Sequence, residues 1–225
     1  MDAVCVLNIG NFLPAKCRES FQAAAERWQV EYVEITEPLG KCHHFWQKAI
    51  IPLSCHAARF ERVLQLDADM LVADDCPSPF AIVPKNAFGV VSRVQPYRPE
   101  LSFQVQRWAS HYKVTGYRDP REHINAGFML YNPNAHADLL RCWQDRAEPG
   151  PERPRCSLPE QFVISCLLAE RTVPVYWLSW MFNACRQNNG AVPRNCYIAH
   201  FHAPRHRPLS VIADNFTFER MRQFA

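Results

Sequence analysis

The sequence predicts an α/β fold, a central sheet flanked by helices, on three observations. Strand-like and helix-like periodicities alternate from Ala3 to Val94, as parallel crossover units require. The later part of the chain mixes strands and helices, so the sheet as a whole should be mixed. The 225 residues are 48% hydrophobic and 12% aromatic, enough to bury one large core.

Ala3–Ile9 reads as a first buried strand. The stretch after Pro14, "AKCRESFQAAAERW", has helical spacing, and proline is at home in a first helical turn. "VEYVEIT" alternates apolar and polar residues as a second strand. "HHFWQKAIIPLSCHAA" reads as a helix with Pro52 as kink or boundary. "ERVLQLDADMLV" is a third strand and "NAFGVVSRV" another. "HINAGFMLYNP" is a strand closed by a proline, and "HADLLRCWQDRA" and "PEQFVISCLLAE" are helices on either side of a proline-rich loop over 148–160. "VPVYWLSW" and "CYIAHFH" are late strands, and "LSVIADNFTFERMRQF" reads as a C-terminal helix. The expected organisation is one domain over 1–225, with a nucleotide-binding half at 1–95 and an acceptor-side half at 96–225.

Charge gives little direction. Lys plus Arg number 25 and Asp plus Glu 22, a net +3. That is too mild to indicate nucleic acid, and no apolar stretch has the length of a membrane span. The N-terminus carries an acidic second residue and no positive n-region. This predicts a cytoplasmic protein, with peripheral membrane association left open. The ten cysteines form no C-x-x-C pair and several lie in apolar runs, so buried free thiols are expected rather than a disulfide framework.

The chemistry concentrates at the end of the third strand. Asp67-Ala68-Asp69 places two carboxylates one residue apart at a strand tip, where like charges are costly unless a cation joins them. Ligands bind beyond the carboxyl ends of strands in open α/β sheets. Far downstream, "YIAHFHAPRHRP" ends a strand in His200. Two carboxylates and an imidazole suit Mn²⁺ or Mg²⁺ with positions left open for a ligand. Solvated loop acids and a surface histidine cluster are the plain alternatives.

Six stretches resemble, in order, the segments of glycosyltransferase family 8, which includes glycogenin and bacterial lipopolysaccharide galactosyltransferases. These are "AVCVLNIGNFLP", "WQKAIIPLSCHAARFERVLQLDADMLV", "INAGFMLYNP", "LPEQFVISCLL", "VYWLSWMFNA" and "AHFHAPRHRP". The resemblance runs from about residue 3 to residue 208. It implies a GT-A fold and a nucleotide-sugar donor, a UDP-sugar above all, with Mn²⁺ or Mg²⁺ held by Asp67, Asp69 and His200. It also implies retention of anomeric configuration and an acceptor that is a glycan, a lipid-linked molecule or a protein.

Residue by residue, the resemblance places Asn8 and Phe12 against the base, with Phe12 stacking on it. Lys48, Asp67, Ala68, Asp69, Ala126, Gly127, His202, Arg205 and Arg207 fall at the donor. Asn125, Glu160, Gln161 and Asn183 fall at the reacting sugar, and Trp180 is a remote acceptor candidate. Each has a bland alternative: core packing for Phe12, a solvated helix charge for Lys48, a backbone-bonded strand-start residue for Asn125, a helix-dipole acid for Glu160. The family pattern is altered at Glu160, where Asp is usual, and at Ala203, where Gly is usual. Arg207-Pro208 stands one residue late for the family's Lys-Pro. Two other functions fit parts of the sequence. A phosphohydrolase of the haloacid dehalogenase type would use Asp67 as nucleophile, and a non-catalytic binder would keep the fold alone.

Overall fold

The computed structural model describes residues 1–54, 56–92, 108–115, 122–150, 158–185, 192–201 and 209–218. The strands are β1 (Ala3–Leu7), β2 (Glu31–Ile35), β3 (Val63–Asp67), β4 (Met70–Val72), β5 (Phe88–Ser92), β6 (Ile124–Tyr131), β7 (Val175–Leu178) and β8 (Ile198–His200). The helices are α1 (Ala15–Trp28), α2 (His44–Ile50), α3 (Pro79–Ile82), α4 (Ala137–Gln144), α5 (Pro159–Glu170) and α6 (Leu209–Asp214).

Six strands form the main sheet in the order β2-β1-β3-β6-β5-β7. β1 pairs parallel with β2 and β3, and β5 pairs parallel with β7. β6 alone runs the other way, antiparallel to both β3 and β5. The parallel start read from the sequence is therefore interrupted by one reversed strand, and strands from both halves of the chain share one sheet.

The sheet is covered on both faces, which is why its strands read as continuous apolar runs. On one face α2, α4 and α5 contribute Trp46, Trp143 and Val163 to a core with Cys5, Val63 and Phe88. On the other, α1 contributes Cys17, Phe21, Ala24 and Ala25 against Val4, Val6, Leu64 and Leu66. That spacing of buried residues is the apolar stripe of a surface helix. Pro14 precedes it, and it ends at Gln29, a left-handed residue (φ 57°) whose N–H returns to Ala25 O. α5 is different: ten of its residues, from Pro159 to Leu168, are buried. A helix enclosed on every side carries its polar residues inward too, and Glu160 and Gln161 are therefore interior.

Three local expectations are revised. The strand read over 61–72 is two strands. β3 stops at Asp67, and β4 leaves the main sheet to pair antiparallel with β8, Met70 opposite His200. The helix over 43–58 ends at Ile50 and tightens into a 3₁₀ turn, Ile51–Leu53, around Pro52; proline removes the donor the helix needs to continue. In the C-terminal stretch, α6 ends at Asp214, and residues 215–218 are not helical. The proline-rich segment lies mostly outside the described residues.

The described cysteines, Cys5, Cys17, Cys42, Cys76, Cys142, Cys166, Cys185 and Cys196, form no disulfides. No helix among the described residues is long and apolar enough to cross a membrane.

Candidate metal and donor site

Strand register assembles the site. Leu7 pairs with Asp67, so the Asn8–Phe12 loop and the Asp67–Asp69 turn leave adjacent parallel strands at the same carboxyl end. Leu66 pairs with Phe128 in reversed β6, which brings Asn125, Ala126 and Gly127 up beside Asp67. The small β4–β8 sheet then returns His200 to the same place: Phe201 N donates to Asp69 O at 2.9 Å and His200 N to Ala184 O at 3.0 Å.

Ligand atoms of Asp67, Asp69 and His200 all lie within 4.8 Å of one another. His200 Nε2 is 3.1 Å from Asp69 Oδ1 and 3.7 Å from Asp67 Oδ2. The ring is buried, while both carboxylates are partly open to solvent. Burial opposes a charge on His200, but Asp69, by charge and hydrogen bond, outweighs it and pushes the imidazole up to about 10. Two carboxylate oxygens and an imidazole nitrogen converging from three strand ends fit a divalent cation with mixed O/N ligands.

Gly127 is required by this convergence. A Cβ there would lie 2.5 Å from His200 Cε1 and 3.0 Å from Asp67 Oδ2. The alternation of β6 breaks at this point. Ile124, Ala126, Met129 and Tyr131 enter one core while Phe128 and Leu130 enter the other.

Lys48, from the last turn of α2, reaches Asp67 with Nζ at 2.6 Å from Oδ1 and 2.7 Å from Oδ2. Burial disfavours its ammonium, but Asp67, Glu160 and Asp69 together overcome that and raise its pKa. The bland reading of Lys48 as a solvated helix charge is therefore set aside. Glu160 is 1% exposed. Its Oε2 has no hydrogen-bond partner among the described residues. Burial pushes its carboxyl up to about 7, with Lys48 pulling the other way. Trp143 Nε1 donates to Glu160 O at 2.9 Å and fixes the start of α5.

The neighbouring amides are bonded within the protein. Asn125 Oδ1 accepts from Gly127 N at 2.9 Å and Nδ2 donates to Cys185 Sγ at 3.0 Å; this is the backbone-bonded arrangement weighed as its alternative. Gln161 Oε1 accepts from Ala126 N at 3.1 Å, and its Nε2 lies 3.0 Å from His123 Nε2. Asn8 is also interior: Oδ1 accepts from Leu13 N, and Nδ2 donates to Glu34 Oε1 at 2.7 Å. Arg18 grips Glu34 through two nitrogens, at 2.8 and 2.9 Å, and with Asn8 and Tyr32 holds its carboxyl down to about 2.

Phe12 is 74% exposed, which removes the core-packing alternative. Its ring covers Gly10, where a Cβ would meet Phe12 Cε2 at 2.7 Å and φ is +80°. The aromatic run near 176–182 is not uniformly core: Tyr176 and Trp177 are exposed at 36% and 44%, Trp180 is half-buried, and Phe182 is buried. His202, Arg205 and Arg207 lie outside the described residues. Cys185, Glu34 and Arg18 join the site without a sequence signal. A lone cysteine and a strand-end acid carry no motif, and only their neighbours in space give them meaning.

No family model matches the sequence, and no curated protein matches it. Solved structures do. A glycosyltransferase involved in glycosylation of the major capsid of PBCV-1 aligns with a TM-score of 0.64 at 10% identity, over 95% of this chain and 98% of that one. The galactosyltransferase LgtC, in complex with donor and acceptor sugar analogs, aligns at 0.53 and 14% identity, over 98% of both chains. The bifunctional glycosyltransferase WbbM aligns at 0.56 and 11% identity, covering 95% of this chain and 51% of WbbM. The chain thus has the GT-A fold of these glycosyltransferases. At the carboxyl end of its sheet stands an Asp-Asp-His cluster that could hold a metal ion.

Proposed function

We propose that this protein is a metal-dependent glycosyltransferase that takes a sugar from a nucleotide-sugar donor, a UDP-sugar, and passes it with retention to a glycan, lipid-linked or protein acceptor. The observation that carries the reading is the convergence of Asp67, Asp69 and His200 at the carboxyl end of a GT-A sheet. Mn²⁺ or Mg²⁺ bound there would neutralise the donor diphosphate and so stabilise it as leaving group.

The chain's own residues then divide the work. Phe12 offers an exposed ring for the base to stack on, and the partly buried Asn8–Glu34–Arg18 network holds that loop in place. Lys48 supplies a second positive charge next to Asp67 for the diphosphate. Glu160 carries one carboxyl oxygen, Oε2, unpartnered among the described residues in a buried site, suited to a sugar hydroxyl or to the positive charge that develops on the anomeric carbon. Gln161 and Asn125 brace β6 rather than touch the sugar, and Ala68, Ala126 and Gly127 leave room beside the cation. His202, Arg205 and Arg207 are retained as diphosphate contacts from the sequence resemblance alone.

In the reaction the bond between the anomeric carbon and the diphosphate oxygen breaks. A bond to the acceptor oxygen forms on the same face, and the acceptor proton passes to the departing phosphate oxygen. The phosphohydrolase alternative draws on Asp67 alone and does not use the neighbouring His200, Lys48 and Glu160.

The test is release of UDP from UDP-hexoses in the presence of Mn²⁺, with and without simple sugar acceptors. The reading expects release by the parent and a loss of about a hundredfold or more in Asp69→Asn. Equal release by both proteins would refute it.

A further inference from the structure

An imidazole has two ring nitrogens, and the hydrogen bond at one decides what the other can do. His200 presents Nε2 to the two carboxylates. Its Nδ1 faces away from them, toward Asn183 Oδ1 at 2.8 Å. The Asn183 amide is 5% exposed, and its orientation has a cause: Nδ2 lies 3.5 Å from Asn125 O, a carbonyl that can only accept. The nitrogen end of the amide is directed to that carbonyl, so the oxygen end meets the ring. An acceptor at Nδ1 calls for a proton there, which leaves the lone pair of the neutral ring on Nε2, on the carboxylate side.

The backbone is built to keep this geometry. Asn183 closes the 3₁₀ turn Trp180–Asn183, whose Ser179 Oγ accepts from Met181 N. The next residue, Ala184, is fastened to β8 from both sides, with Ala184 N donating to Ile198 O at 2.9 Å and His200 N to Ala184 O at 3.0 Å. The Cys185 thiol lies 3.7 Å from the same ring nitrogen. Gly127 lies under Cε1, where no other residue would fit. The ring sits in a slot with the amide behind it.

We propose that Asn183 is a positioning residue for the metal site: it fixes the proton of His200 on Nδ1 and so presents Nε2 to the cation, instead of contacting the transferred sugar. This rests on the metal-dependent reading above. It also reassigns the role that the sequence resemblance implies for Asn183.

The experiment measures Mn²⁺ affinity, by the paramagnetic resonance of free Mn²⁺ with excess UDP, in the parent, Asn183→Leu and Asn183→Asp. Far-ultraviolet circular dichroism monitors folding. Leucine keeps the volume and removes the acceptor, so the dissociation constant should rise about 10- to 100-fold. Aspartate keeps the acceptor and should stay near the parent. Proteins loaded with UDP and diamagnetic Mg²⁺ give a second readout: with Nε2 on the cation, a His200 Nδ1–H proton signal protected by its bond to residue 183 should be present in the parent and in Asn183→Asp, and lost to exchange in Asn183→Leu. A purely structural role would penalise the buried new carboxylate at least as much as leucine, and that ranking would overturn the proposal. Equal Mn²⁺ affinity in the parent and Asn183→Leu would overturn it alone. A parent that binds no Mn²⁺ would overturn the metal reading as well. If Asn183→Leu does not fold, Asn183→Ser takes its place: the shorter side chain withdraws the acceptor from Nδ1, so Mn²⁺ affinity should again fall, whereas a parental Mn²⁺ affinity with a raised KM for the donor would mark a sugar contact and overturn the proposal.

Discussion

Lys48 Nζ bridges both carboxylate oxygens of Asp67, at 2.6 and 2.7 Å. Asp67 is one of the three groups that would hold the cation, so the ammonium and the metal compete for it. Lys48→Met should therefore change metal and nucleotide binding in opposite directions. Without the competing charge, Asp67, Asp69 and Glu160 attract Mn²⁺ more strongly, by several-fold, while UDP binds more weakly for want of a phosphate partner. Isothermal titration with each ligand separates the two, and losses in both would contradict this role. Stability should fall by about 3 kcal/mol, because a partly buried carboxylate is left without its partner.

Gly127 is the tightest point of the site. Gly127→Ala must push His200 aside, since the new methyl would sit 2.5 Å from Cε1. Mn²⁺ affinity should drop at least tenfold, and stability should fall by about 1–3 kcal/mol from overpacking. Binding of Mn²⁺ to this variant at parental affinity would show that the ring has room to spare.

Glu160 makes the site costly to keep. Its carboxyl is raised from 4.5 to about 7 by burial. Between those values the folded protein holds a proton that the unfolded chain has lost, so this group's contribution to stability falls as pH rises from about 4.5 to about 7. Glu160→Gln removes the penalty. The variant should be as stable as the parent near pH 4 and more stable near pH 8, by about 3 kcal/mol, since a shift from 4.5 to about 7 already includes the attraction to Lys48. Urea unfolding at the two pH values measures this. The same variant should lose donor turnover, the exchange of stability for function expected of a buried unsatisfied group.

Phe12 gives a prediction free of folding effects. At 74% exposure its ring supports little of the core, so Phe12→Ala should leave the melting temperature nearly unchanged. A stacked base would lose about 1–3 kcal/mol on the same change, roughly a 10- to 100-fold weaker UDP complex. Unaltered UDP affinity would remove Phe12 from the site.

Much of this arrangement can be read along the chain, and the remainder has identifiable causes for staying hidden. The early strands and the Asp67–Asp69 turn are local: a buried run ending in acids declares itself by pattern. His200 is legible as a strand-end histidine. The reversal of β6 is not, because strand direction depends on partners chosen in space and "HINAGFMLY" looks alike read either way. The split of β3 from β4 is hidden for a similar reason: Met70–Val72 is apolar whichever sheet it joins. The inward turn of Asn125 and Gln161 follows from the close fit of β6 against α5. The roles of Cys185 and Glu34 come wholly from neighbours far away in sequence.

The central claim is that the cation and the nucleotide complete each other's site. Calorimetric titration of UDP with and without Mn²⁺, in the parent and in Asp67→Asn and Asp69→Asn, tests it most directly. The account predicts that Mn²⁺ tightens UDP binding in the parent by tenfold or more, and that each aspartate variant loses this gain while still folding. UDP binding that is indifferent to Mn²⁺, or variants that retain the full gain, would contradict it.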